Sequence, residues 1–582
     1  MKKKLQKWTE ICKPRSEIFA GGINSDTFAA DLGMIQLGLG SEMYINPVLF
    51  FDHTYITESM ENLFVDVLKG LQGEKTVQKV IQIDTPFGGG KTHTIIGLYH
   101  LVKHSTLLKN LPRLREIYKK ANFTSTKPKI LTFVGTAMDP DGYEESSSEK
   151  IYSIMGHLFK QLGNSAFQKI KESDKKFQSP GTNKLAEILK NEGPILILID
   201  EILFFISKLA VTQLEQNREL NNKITHLITF IQELYTCVSN LDNIILVNTL
   251  PTRENEILSQ IAGGLREDLQ IKLTDIVSDA KEKFNHVADR HQANVEVALS
   301  SDDVANIIQT RLFENFKDID KTARDTVANT LKQYYIHHRE SFPDVVQLHY
   351  AEKIKAHYPF HPELLRILSE QWKTLPNFQK TRDTLRLLAY IIKSAYNEKN
   401  GEYIPNLDSL IANLPLIMPG SVDFTDPLII GIIERSLNLL DVKTILESDL
   451  NRAKIIDEIV EGIEKKLKYA QSMVIAIVFH SYSGSTASSS AREYIASRGA
   501  TSSQILLSII CPIDEFSDDD INCGLPPIGN IKEKIKLLTT GESGLYYLHC
   551  TKQAQYFFDH LKKNLNFVDR KSTRLNSSHG KL

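Results

Sequence analysis

One stretch constrains this chain more than any other: the apolar run Val80-Ile-Gln-Ile83, then Thr85-Pro-Phe-Gly-Gly-Gly-Lys91-Thr92-His93, then an amphipathic segment. Three consecutive glycines let the backbone take up conformations that a Cβ forbids. Their N–H groups can converge as an anion nest. A helix starting near Thr92 aims its positive end at the same point. Together these make a cradle for phosphate. Lys91 would reach the β- and γ-phosphates of a nucleotide, and the Thr92 hydroxyl would ligate Mg²⁺. Of the general pattern G-x-x-x-x-G-K-[ST], Gly90, Lys91 and Thr92 match, while Thr85 stands in the place of the first glycine. The plainer alternative is a glycine-rich strand-to-helix turn with an exposed lysine. The strand before and the helix after weigh against it. The expected nucleotide-binding set is Thr85, Pro86, Phe87, Gly88, Gly89, Gly90, Lys91, Thr92 and His93.

A second signal follows at Ile195-Leu-Ile-Leu-Ile-Asp200-Glu201. A strand buried on both faces ends there in two carboxylates, at the sheet edge where open α/β folds place their ligands. Successive strand residues point to opposite sides. Asp200 is therefore expected to ligate Mg²⁺ through a water and Glu201 to face an attacking water, as general base. Two solvated acids at a strand end are the plain alternative, and the glycine loop upstream counts against it. The candidate strands are 80–83, 130–134, 195–199, 244–247 and 295–299, separated by longer amphipathic segments. That alternation is the pattern of an α/β domain with a mainly parallel sheet.

Weaker candidates complete the set. Asn248, at the tip of the fourth strand, would sit between the loop and the acids and orient water or sense the γ-phosphate. Arg290 lies just before the fifth strand, where an arginine can reach a neighbouring subunit's site, and Arg382 lies at the start of a helix on the lid side. The plain alternatives are a strand cap for Asn248 and a surface arginine for each of Arg290 and Arg382, and for Arg290 the plain one is preferred. His93 and His100 stand seven apart on one helix face; a metal would need more ligands, so they read as packing or surface histidines.

Composition excludes several classes. A 42% hydrophobic share gives ample core, so disorder is not the main state. No apolar run reaches the roughly 18 residues of a membrane span, and no apolar segment follows the basic N-terminus as in a secretory signal. A net charge of −2 gives no global pull toward nucleic acid. Five scattered cysteines without C-x-x-C spacing suit reduced thiols in a cytoplasmic protein, not a disulfide framework or a zinc site.

The expected layout is an N-terminal segment (1–75), a nucleotide-binding core (76–300), a helical lid (301–400) and a helical region with a winged-helix-like end (401–568). The last stretch, 569–582, is polar and aperiodic. It looks like the translation of a sequencing adapter, so the native chain is expected to continue differently beyond about Val568.

The glycine loop, the acidic pair, the polar strand tip and the helical lid together resemble the AAA+ branch of P-loop ATPases. A closer resemblance runs through Phe28-Ala-Ala-Asp-Leu32, Phe50-Phe51-Asp-His-Thr-Tyr55, Thr85–Thr94, Leu98-Tyr-His-Leu101, Arg311-Leu-Phe313, Tyr358-Pro-Phe-His-Pro-Glu-Leu364 and Phe378-Gln-Lys-Thr-Arg382. These are similar to a large prokaryotic family of ATP-binding proteins built on a numbered domain of unknown function. Thr85 in place of glycine is normal there. Its members tend to be longer than this chain and are often encoded beside adenine-specific DNA methyltransferases and helicases in phage-defence islands. The resemblance implies ATP and Mg²⁺ as cofactors and ATP hydrolysis coupled to remodelling of a DNA-directed complex. Its partners would be a methyltransferase, helicase or nuclease, with DNA touched directly or through them, and self-assembly is compatible. The rival expectation is a slow nucleotide-gated switch or scaffold. A motor tracking along DNA fits least, because no basic-aromatic stripe is present.

Overall fold

Apolar runs long enough to be covered on both sides become a parallel sheet. β1 (Val80–Asp84), β2 (Lys129–Val134), β3 (Ile195–Asp200), β4 (Ile244–Thr249) and β5 (Asn294–Glu296) lie in the order β2-β3-β4-β1-β5, every pairing parallel. All six residues of β3 are buried, as in a strand with helices on both faces. The computed structural model describes residues 5–19, 30–84, 90–124, 127–146, 149–215, 221–250, 265–291, 294–296, 300–342, 344–372, 375, 378, 380–437, 442–459, 468–481, 499–512, 533–534, 538, 548–550 and 555–558. The expected strand residues 297–299 lie outside this set, as do the tail 569–582 and most of the Ser-rich segment after Ser481.

One sheet face carries Ile81, Ile83, Leu196, Leu198, Ile245 and Val247, packed with α1 (Glu58–Gly70) and α2 (Lys91–Lys103). The other carries Ile195, Ile197, Ile199, Ile244 and Leu246, packed with α3 (Ile202–Glu215), α4 (Asn221–Asn240) and α5 (Glu267–Arg290). The strict alternation fixes which face each polar strand residue joins. α1 starts where the Thr57 side chain accepts from the Met60 N–H, and its apolar stripe (Met60, Leu63, Phe64, Val67, Leu68) is buried.

Residues 29–300 form one unit, and 1–28 with 301–582 form a second. This differs from the sequence division at residue 75. The segment 29–75 closes one face of the sheet through α1, so it belongs with the sheet. The first residues belong with the chain beyond 300. Trp8 is fully buried and its indole N–H donates to the Ile411 carbonyl at 2.7 Å; the Arg15 Nε–H donates to the Thr310 carbonyl at 3.1 Å.

The second unit is mainly helical. It includes Ser301–Leu312, Lys321–His337, α6 (Lys380–Ser394) and α7 (Tyr469–Ser481). α7 is buried nearly all round, as an apolar helix in a core must be. Tyr396–Lys399 and Glu402–Pro405 form a hairpin at the expected Pro/Gly-containing boundary. Ala500–Thr501, Gln555–Phe558 and Leu548–Cys550 make a small antiparallel sheet; the rest of the winged-helix-like end lies largely outside the described residues. No described helix is long and apolar enough to cross a membrane. Burial holds the thiols of Cys237 and Cys511 up, at about 11 and about 12, so neither is a ready nucleophile.

Candidate functional site

The site is built where β1, β3 and β4 end. Thr85, Pro86, Phe87, Gly88 and Gly89 lie outside the described residues. Gly90 is the N-cap of α2 and has no side chain to satisfy the first-turn amides. Those N–H groups are left to backbone, water or an anion. Lys91 and Thr92 open the helix, both half-buried.

Asp200, the last residue of β3, is 1% exposed. By alternation it stands on the α2 face of the sheet. Burial pushes its carboxyl above the ordinary value. Hydrogen bonds from the Thr249 and Thr92 hydroxyls and the Lys91 charge work against this, while the Asp31 charge adds to it. The chain therefore brings Lys91, Thr92 and Asp200 together. A hydroxyl and a carboxylate are hard oxygen donors of the kind Mg²⁺ takes. Among the described residues no group of three or more His, Cys, Asp or Glu could hold a metal. A cation here would draw its remaining ligands from phosphate and water, which is how Mg²⁺ is usually held.

Glu201 departs from the expected alternation. It has φ +56°, the left-handed region that non-glycine residues seldom enter, so its direction does not follow from strand parity. Its carbonyl accepts from the Phe204 and Phe205 N–H groups at 3.0 and 3.3 Å, opening α3. Its own N–H donates to the Thr249 hydroxyl at 3.3 Å, and that hydroxyl donates to Asp200 Oδ1 at 2.5 Å.

Asn248, expected between the loop and the acids, stands on the sheet face opposite to Asp200. It pairs with Ile199 and Gln82 in the ladder, and its Nδ2 donates to Gln82 Oε1 at 3.4 Å. Gln82 Nε2 in turn donates to Asn285 of α5 at 3.2 Å. The polar residue that reaches the acids is its neighbour Thr249, 2% exposed.

His93 packs. Its Nε2 lies 2.8 Å from the Thr54 hydroxyl, which itself donates to the Phe50 carbonyl at 2.6 Å, so the histidine N–H is the donor. Its ring centroid is 4.5 Å from that of Phe50. His100 is fully buried, its Nε2 is bonded to the Tyr44 carbonyl, and burial lowers it to about 4. Arg290 is exposed at the C-terminal end of α5. Arg382 lies in the first turn of α6, in the other unit.

Three residues escaped the sequence reading. Thr249 was visible only as part of the fourth strand tip. Gly135 follows β2, and its N–H donates to the Asp200 carbonyl at 2.9 Å. Asp31, within Phe28-Ala-Ala-Asp31-Leu32, caps the short helix Leu32–Gln36 by accepting from the Met34 N–H at 3.1 Å, and its charge bears on Asp200.

Comparison with known proteins places the chain by family alone. No curated protein and no solved structure matches it. The model of the DUF499 N-terminal domain matches residues 15–282, and that of the DUF499 second domain matches residues 300–547. With both domains in chain order over most of its length, the chain belongs to the DUF499 family, proteins built on a domain of unknown function.

Proposed function

We propose that the unit formed by residues 29–300 is a P-loop NTPase of the AAA+ kind that binds ATP with Mg²⁺ and hydrolyses it. The observation that carries this reading is the meeting of Lys91, Thr92 and Asp200 at the carboxyl edge of a parallel sheet, after a glycine-rich loop. A lysine charge, a hydroxyl and a carboxylate are the groups that phosphoryl transfer needs around its metal and phosphates. The strand order supports it too: β4 lies between β1 and β3, so its tip, Thr249, stands between the loop and the acids. Bound Mg²⁺ would neutralise developing charge on the phosphates. Lys91 would bind the β- and γ-phosphates, Thr92 and Asp200 would hold the cation, and Glu201 would take a proton from the attacking water.

The wider role, remodelling of a DNA-directed defence complex with a methyltransferase, helicase or nuclease, rests on the family resemblance. The test is steady-state ATP turnover by the purified chain. Lys91→Ala and Glu201→Gln are each expected to lower it by at least about a hundredfold. Turnover that survives both substitutions would sink the reading.

A further inference from the structure

We propose that Gly135 and Thr249 are positioning residues: from the two strands flanking β3 they clamp the Glu201 backbone in its left-handed conformation and so set where its carboxylate stands relative to Asp200. The catalytic consequence rests on the ATPase reading; the clamp itself does not.

A left-handed non-glycine residue is costly and persists only where its surroundings over-determine it. The surroundings here are two neighbouring chain segments. The sheet order β2-β3-β4 puts one on each side of the acidic pair. On the β2 side, Gly135 donates its N–H to the Asp200 carbonyl and lies against the next peptide. A Cβ on it would stand 2.0 Å from the Glu201 carbonyl oxygen and 3.1 Å from the Phe205 nitrogen. No side chain fits there unless the Glu201 peptide moves, so glycine lets the first turn of α3 dock on the end of β2. On the β4 side, the single Thr249 hydroxyl accepts the Glu201 N–H and donates to the Asp200 carboxylate. It ties the backbone of the proposed base to the side chain of the proposed cation ligand. The peptide that joins Asp200 to Glu201 is thus held at both ends, its N–H by Thr249 and its carbonyl, that of Asp200, by Gly135, while the Glu201 carbonyl is taken up by the first turn of α3; a return of Glu201 to the extended region would have to break these bonds.

The experiment has two arms on the full chain. The first reads the clamp through stability alone. At φ +56° glycine is at ease and alanine is not, so Glu201→Gly should melt at a higher temperature than Glu201→Ala. That gap should shrink when Thr249→Val is added. A gap that is absent, or that Thr249→Val leaves intact, overturns the clamp. The second arm reads its consequence. Gly135→Ala and Thr249→Val should lower kcat on the order of a hundredfold, the scale of a misplaced catalytic group, while the Kd for fluorescent ATP stays near that of the unsubstituted chain. Thr249→Ser, which keeps the hydroxyl, should restore most of kcat. A folded Thr249→Val protein with unchanged kcat overturns the positioning role, and it does so even if Gly135→Ala fails to fold. If the unsubstituted chain shows no turnover, the ATPase reading falls and the melting arm still decides the clamp.

Discussion

Both units bury a carboxylate, and they treat it in opposite ways. In the helical unit Glu363 sits in Tyr358-Pro-Phe-His-Pro-Glu-Leu364. Burial pushes its carboxyl up, but the hydrogen-bonded Arg366 guanidinium works against burial, helped by His480 and His361 only where these are protonated, and the group ends below its ordinary value. Arg366 reaches both carboxylate oxygens, at 2.9 and 2.6 Å. His480 lies 3.6 Å away, itself within 3.2 Å of the Ser508 hydroxyl. In the sheet unit Asp200 is as deeply buried, yet its carboxyl ends above its ordinary value. Hydroxyls and a lysine charge do not suffice there, and Asp31 makes matters worse. One acid carries its counter-ion within the fold. The other is left short of positive charge at the edge of a sheet. A structural ion pair and a candidate ligand site are told apart by where the missing charge would come from.

The sharpest way to break this contrast is to remove the internal partner. Arg366→Met leaves Glu363 buried without its guanidinium and should cost about 4 kcal/mol, measured by urea unfolding. A cost below about 1 kcal/mol would show that the pair is ornamental. Next in size is a pH effect. Burial holds His480 down to about 4, against an ordinary 6.5. A neutral buried histidine must stay unprotonated in the fold while the unfolded chain takes up a proton. Its contribution is therefore whole above about pH 6.5 and drains away as the pH falls toward 4, by about 3 kcal/mol. The urea midpoint should drop over that window, and less so in His480→Gln. Asp200 works with the opposite sign: its raised carboxyl costs stability as the pH climbs from the ordinary carboxylate range through its folded value.

A smaller effect follows from the same point. Without Mg²⁺, Asp200→Asn should stabilise the protein by about 1 kcal/mol, a gain of the kind seen when a strained functional group is removed, and turnover should be lost. Destabilisation would mean that Asp200 is a structural residue like Glu363. An effect of the same size serves as a control. Thr57 and Asp320 each cap a helix, one per unit. Alanine at either should cost about 1 kcal/mol, and very unequal costs would show that the units differ in cooperativity as well as in electrostatics.

Much of the sheet was legible because β3 and β4 are apolar on nearly every residue, which only a doubly covered strand tolerates. The meeting of Lys91 and Thr92 with Asp200 followed from strand-end logic. What the sequence leaves open is instructive. Asn248 and Thr249 are adjacent, and choosing between them needs the face of β4 in register with β3, which is a property of pairing and not of either strand alone. Glu201 was assigned by alternation, and its left-handed backbone breaks alternation. Asp31 caps its own helix and Gly135 follows a strand, and neither local pattern tells that each bears on an acid far off in the chain. The division into compact units differs from the boundary at residue 75 for a related reason, because the amphipathic pattern of α1 announces a buried face without saying what covers it.

The union of residues 1–28 with the chain beyond 300 sets an order of events during synthesis. Trp8 hydrogen-bonds a carbonyl 403 residues later. At ribosomal speeds of about 5–20 residues per second, that carbonyl emerges roughly 20 to 80 seconds after the indole it will receive. The sheet unit has all its strands long before then. Residues 5–19 thus leave the ribosome ahead of the chain they pack on, and the indole and the apolar side chains of Leu5, Ile11 and Ile18 lack their native cover until it follows.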